Sequence, residues 1–266
     1  MKNLRKVVFV LAITGFILAC NIISAPATFT PIAPQNAPQG TKISFENVSL
    51  VIPTGLGTGA NTTKTDNVEM PPFVNPSNGP MPQHIVITIN GYPLAREARI
   101  AVFKASEYAS YTESTKNTIT ELQSLNFQAG GEIPPDLGGT FEAQAGPVAI
   151  QNGNGLRYIT ETMEAFVPIS NDQIYYYYQG MTNDGAYFVM AVLPISGSFL
   201  APTGSSDAVI PPGGIQFPGF TNPNASSDEI QAYYAAVKDK LNAASSNFTP
   251  SITTLDALIQ SISVNP

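Results

Sequence analysis

The sequence predicts a single α+β domain: a mostly antiparallel β-sheet covered by about three helices, with long Pro/Gly-rich loops between the elements. Three observations carry this prediction. Several strand-length segments are apolar, among them Ile85, Ile87 and Ile89 at a period of two and the run from Ala186 to Leu193. Asn183-Asp184-Gly185, which joins two such segments, consists of residue types that tolerate the positive φ of tight turns. Near the end, Ile230, Tyr233, Tyr234, Val237 and Leu241, and then Leu255, Leu258, Ile259 and Ile262, make two apolar helical stripes.

The first 40 residues lie outside that domain. Lys2, Arg5 and Lys6 precede the apolar stretch Val7–Ala19, which is shorter than the roughly 20 residues of a stable membrane span. A basic start, a short apolar core and small residues before a cut site mark an export signal over residues 1–19. Ile17-Leu18-Ala19-Cys20 resembles the bacterial lipobox, with Ile17 in place of the usual leucine, and Cys20 is the only cysteine. The expected outcome is lipidation of Cys20 and removal of everything before it. The alternative, cleavage after Ala25, puts Ile23 where a small residue is wanted and Pro26 just past the cut. Residues 20–40 are rich in Pro and Ala, with Pro26, Pro31, Pro34 and Pro38 spaced along them. In polyproline II geometry, at about 3.1 Å per residue, such a linker holds a domain roughly 60 Å from a membrane.

Residues 41–266 form the expected domain. Ile43, Phe45, Val48, Leu50 and Ile52 trace a strand or bent strand pair that Pro53-Thr54-Gly55 ends. Residues 55–83 turn to Gly, Asn, Thr and Pro and read as a long loop. Strands follow at His84–Gly91 and Arg99–Lys104. Ile119, Leu122 and Leu125 then define a helix over about 114–127, capped by Thr112 or Ser114. Residues 128–154 return to Gly and Pro with short extended pieces around Thr140–Glu142 and Val148–Ile150, and three extended segments follow, Gly155–Phe166, Ile174–Gln179 and Ala186–Leu193. Residues 197–225 are a second low-complexity insertion whose aromatic tips, Phe217 and Phe220, either touch a partner or fold back. Ser226-Ser227-Asp228-Glu229 resembles a capping box ahead of the first apolar helical stripe. No internal repeat is evident.

Loss of residues 1–19 leaves nine basic against 19 acidic residues, a formal charge of −10 with His84 neutral. Phosphate repels such a surface, so nucleic acid is not an expected partner. With Cys20 lipidated, no internal disulfide forms, and stability rests on core burial.

The run Tyr175-Tyr176-Tyr177-Tyr178-Gln179-Gly180-Met181-Thr182-Asn183-Asp184-Gly185-Ala186-Tyr187-Phe188-Val189-Met190-Ala191-Val192-Leu193-Pro194, followed by a helix, resembles a group of uncharacterised bacterial lipoproteins with a tyrosine-rich hairpin. The element order, from a leading strand at Val48–Pro53 to a closing helix, is loosely similar to the PsbP-type fold of photosystem accessory proteins. Both resemblances imply architecture. Neither carries an activity or a site residue.

Catalytic constellations are scarce. A Ser-His-Asp triad needs a histidine base, and the one histidine, His84, opens an apolar strand, where a strand-edge or packing role is expected. There is no Gly-x-Ser-x-Gly elbow, and hydrolytic zinc sites draw on more His and Cys than this chain has. Thr182-Asn183-Asp184-Gly185 lacks the alternating acids of a calcium loop. Glu161 and Glu164 are the carboxylate pair for glycosidase chemistry, but on one strand they point to opposite faces and are expected to be solvated. No cofactor or metal is expected. Four Asn-x-Ser/Thr sequons, at Asn47, Asn61, Asn224 and Asn247, carry no glycan expectation beside a bacterial export signal.

The tyrosines are the main binding feature. Alternation sends Tyr175 and Tyr177 to one face and Tyr176 and Tyr178 to the other, with Tyr187 on the paired strand. One set is expected in the core; the other can form a half-exposed platform, since tyrosine joins an apolar ring to a polar tip. The expected binding surface is Tyr176, Tyr178, Tyr187, Phe217 and Phe220, with plain cross-strand packing as the alternative. The functional expectation is a non-catalytic, lipid-anchored binding or scaffold protein on the extracytoplasmic side of the bacterial cell envelope. Its expected partners are the membrane, through Cys20, and an envelope protein. The alternatives are a ligand-binding lipoprotein that takes a glycan or small molecule through the tyrosines and, third, a secreted hydrolase.

Overall fold

The computed structural model describes residues 38–65, 81–125, 133, 137–138, 141–161, 167–222, 224–244 and 247–266. Cys20, the signal sequence, the linker up to residue 37 and Glu164 lie outside the described residues.

A first hairpin pairs β1 (Gly40–Phe45) with β2 (Val48–Pro53) through the two-residue turn Glu46–Asn47, with Glu46 at φ 49°. The short β12 (Ser263–Val264) lies on the other side of β2. The main sheet has seven strands: β3 (Gly59–Thr65), β4 (His84–Asn90), β5 (Arg99–Lys104), β6 (Ala143–Ile150), β7 (Gly153–Glu161), β8 (Ile174–Thr182) and β9 (Tyr187–Pro194). Their order is β3-β4-β5-β9-β8-β7-β6, and every pairing is antiparallel. The expected α+β architecture is therefore present, a mostly antiparallel sheet with helices.

Five helices occur among the described residues: α1 (Ala105–Ala109), α2 (Glu113–Ser124), α3 (Pro218–Thr221), α4 (Ser227–Ala243) and α5 (Ile252–Gln260). The three long ones are those the sequence predicts; α1 and α3 are too short to show a periodic stripe. Thr112 caps α2, and Ser226 with Glu229 closes the expected capping box on α4, which satisfies amide donors left open at each helix start. A minor pair, β10 (Ser196–Gly197) with β11 (Phe248–Thr249), ties the end of the sheet to the segment before α5.

One expectation fails at β3, which lies inside the segment read as a loop. Asn61, Thr62, Thr63, Lys64 and Thr65 bear no apolar alternation because β3 is a largely exposed edge strand that buries little. Its β-branched threonines still suit an extended chain.

The sheet is covered on both faces. On one, α4, α5 and the β1–β2 hairpin enclose a core with Ile87, Ile100, Ile159, Val189, Leu193, Leu255 and Leu258. On the other, α1, through its Tyr108, and α2 lie over Phe103, Tyr158, Phe188 and Met190. With both faces occupied, β8 and β9 have almost no solvent-facing side.

Candidate functional site

The double cover decides the fate of the tyrosine run. Tyr176 and Tyr178 are 0 % exposed, so these two members of the expected platform are core residues. The Tyr176 hydroxyl donates to Asp256 Oδ1 of α5 at 2.8 Å, and Arg157 Nε lies 3.3 Å from the same oxygen. Burial, and then the nearby Asp256 charge, hold the Tyr176 pKa well above the usual range, so it stays a neutral donor. Burial likewise raises the Asp256 carboxyl, while Arg157 pulls it down. The Tyr178 ring reaches over the cross-strand pair Gly155 and Gly180, where a Cβ on either glycine would collide with its hydroxyl.

The opposite face is no platform either. Tyr177 is buried, with its hydroxyl on Met190 Sδ at 3.1 Å. Tyr175 is half-buried beneath the Arg96 guanidinium, 4.5 Å above its ring, and Arg96 Nη2 donates to the carbonyls of Asn171, Ile174 and Ile195. Phe217 also folds back: it is 4 % exposed, edge-on to Tyr233 at 5.1 Å and to Phe220 at 5.2 Å. Beside it a void of about 20 Å³ remains, room for about one water. Of the two insertion tips only Phe220, 37 % exposed, faces solvent.

Glu161 departs from its expected solvated state. It ends β7 opposite Ile174 and is 1 % exposed. Burial pushes its pKa up to about 8, with the Ser170 backbone amide opposing, Asp172 adding and Arg96 opposing, so it is chiefly protonated at neutral pH. Glu164, the other member of the expected carboxylate pair, lies outside the described residues, and among the described residues no three His, Cys, Asp or Glu side chains group as a metal site.

Tyr187 is the expected binding residue that does reach an opening. It starts β9, directly across from Lys104 of β5, and is half-buried. Beside it a cleft of about 200 Å³ opens between the β1–β2 turn and the end of the main sheet. Ile85 and Val102, cross-strand neighbours on β4 and β5, form an apolar floor. Glu46 from the turn and Lys64 from β3 form one wall and are paired at 2.9 Å. Lys104 and Glu107, at the start of α1, form the other and are also paired at 2.9 Å. Gln83, His84 and Asn47 complete the lining.

Each wall is thus electrically neutral and solvated. Exposed pairs of this kind are well screened by solvent and contribute little, so the walls rearrange at little cost. The hydrogen bond to Glu107, and then its charge, raise the Lys104 pKa, which keeps this ammonium charged. His84 is fixed from behind. Its Nδ1 lies 2.7 Å from the Pro82 carbonyl, which only accepts, so Nδ1 carries the proton, and its ring stacks on Phe103 at 4.3 Å. The packing role expected of His84 is therefore present, at the edge of the cleft.

Sequence reasoning found Tyr187 and missed the rest of this lining. Glu46, Lys64, Lys104 and Glu107 lie on separate elements, and no local spacing links them. No protein-family model matches the chain, and no curated protein or solved structure matches it. Among the described residues, the fold and the cleft define an α+β domain with a small, solvent-open cleft at a strand end.

Proposed function

We propose that this chain is a lipid-anchored, non-catalytic binding module of the bacterial cell envelope, on the extracytoplasmic side, in the tyrosine-hairpin lipoprotein group that it resembles. Residues 41–266 bind and residues 20–40 tether. What supports the reading is the position of the cleft relative to the tether. The linker meets the domain at Gly40, and β1 runs from there to the Glu46–Asn47 turn that lines the cleft, about 20 Å away at roughly 3.3 Å per residue. In this reading the cleft lies at the opposite end of β1 from the tether, free for a ligand to reach. Among the described residues no helix is long and apolar enough to cross a membrane.

A scaffold role with an envelope protein partner is the second reading. Val209, 79 % exposed, and Phe220 favour it, because both project from the 197–225 insertion.

The test is to express the full chain in bacteria with a clickable fatty-acid analogue and then cross-link intact cells through a photoreactive tyrosine analogue, which keeps the aromatic ring, at position 187. The expected result is acylation and membrane retention that Cys20→Ser abolishes, with capture at position 187 of a ligand or partner in the anchored form. An unacylated chain, or one equally membrane-bound after Cys20→Ser, would overturn the anchor; an uncaptured position 187 would overturn the cleft.

A further inference from the structure

We infer that the cleft beside Tyr187 takes an uncharged, polyhydroxylated ring, a sugar unit either free or at the end of a glycan chain. The inference rests on the cleft being the binding site. Its first support is size. About 200 Å³ is below the roughly 300–1,000 Å³ of clefts that hold drug-sized molecules, so it fits one ring-sized unit.

The second support is charge. Each wall places an ammonium 2.9 Å from a carboxylate, so the two fields largely cancel for any ligand carrying a single net charge. A net-neutral ligand is left, and the remaining choice lies between a zwitterion and a polyol. A zwitterion must break both existing pairs to make its own. Hydroxyl groups need break neither, because each ammonium has three donors and each carboxylate about four lone-pair sites, of which the pair uses one. Neighbouring hydroxyls on a ring match this arrangement: one donates to Glu46 or Glu107 while another accepts from Lys64 or Lys104.

The third support is the floor. Ile85 and Val102 with the Tyr187 ring give an apolar bed for the C–H face of a sugar, while the Gln83 amide adds a donor and an acceptor at the rim.

The sole histidine is a built-in reporter: His84 borders this cleft, and its ring, stacked on Phe103 behind the Ile85–Val102 floor, senses a change in the packing of that strand. The experiment follows the His84 imidazole signals by NMR in the isotope-labelled full-length chain in detergent micelles. It is titrated with a panel of neutral hexoses, their methyl glycosides and disaccharides, and with zwitterionic amino acids as comparators. The expected result is a saturable His84 shift with at least one sugar, with affinity changed less than twofold between about 0.05 and 0.5 M NaCl, because no net charge is exchanged. Binding should weaken at least tenfold in Tyr187→Ala and in Glu107→Gln, with the rest of the spectrum unchanged.

If the methyl glycoside binds as well as the free hexose, the terminal unit of a chain is admissible; if only the free hexose binds, the ligand is free sugar. A His84 shift with amino acids and none with sugars would overturn the ligand class while keeping the cleft as a site. No shift with any compound would overturn the sugar inference, and position 187 left uncaptured in cells would remove the cleft reading as well.

Discussion

The tyrosine run of β8 and the single Tyr187 at the start of β9 sit on one hairpin and have opposite fates. Tyr176, Tyr177 and Tyr178 lie mid-strand, where helices cover both faces, and they are buried. Tyr187 lies where the sheet extends past its cover, and it borders open space. The difference teaches that aromatic density along a strand measures how much core the strand must fill, whereas a binding surface needs a place where the layers separate.

The strongest way to break this comparison is Tyr176→Ala. Removing a fully buried aromatic ring costs about 3–5 kcal/mol, and here it also deprives Asp256 of its donor. The expected outcome in a thermal melt is a Tm drop of roughly 10 °C, with ligand binding lost only in proportion to unfolding.

Glu161 gives a pH test on the same buried side. Its folded pKa lies above its ordinary value, so between pH 4.5 and about pH 8 the folded chain holds a proton that the unfolded chain has released. Stability is then full below that window and falls as pH rises through it, at up to about 1.4 kcal/mol per unit. Urea melts of the wild type and of Glu161→Gln at several pH values should diverge by about 3 kcal/mol between pH 5 and pH 7.5, with the wild type losing more. Parallel pH profiles would mean that Glu161 is solvated.

Gly180→Ala sharpens the comparison further, because a Cβ there meets the Tyr178 hydroxyl and the Asn154 carbonyl. Overpacking of that kind costs about 1–3 kcal/mol, seen as a lower urea midpoint at unchanged slope. The smallest effect is expected at the cleft. Tyr187→Ala should change stability by less than about 1 kcal/mol while removing binding. Loss of fold in this variant would place Tyr187 in the core with its neighbours.

Much of the fold was legible, and the reasons are local. Ile85, Ile87 and Ile89 marked β4, Asn183-Asp184-Gly185 marked the β8–β9 turn, and Ser226 with Glu229 marked the start of α4. In that turn Gly185 adopts φ 70°, and Asp184 Oδ1 accepts from the Thr182 hydroxyl at 2.6 Å and from the Ala186 amide at 3.0 Å. The edge strand β3 was not legible, because a strand that buries little needs no apolar pattern.

The burial of both tyrosine faces had an available signal. Phe188–Leu193 is apolar at every position, the mark of a strand covered on both sides, and its partner strand shares that environment. The cleft had no such signal. Its lining comes from the β1–β2 turn, β3, β4, β5, α1 and β9, separated by up to 141 positions from Glu46 to Tyr187, and only the sheet order brings them together. The buried Glu161 was equally hidden, since a charged residue at a strand end is ordinarily solvated.

The most direct test of the division between a structural tyrosine run and an open cleft is the nitration rate of each tyrosine in the folded full-length chain, read by peptide mass spectrometry. The account predicts that Tyr187 is modified rapidly, while Tyr176, Tyr177 and Tyr178 react only at the rate of global unfolding. Modification of Tyr176 or Tyr178 as fast as Tyr187 in the native state would contradict it and return the platform to the middle of the sheet.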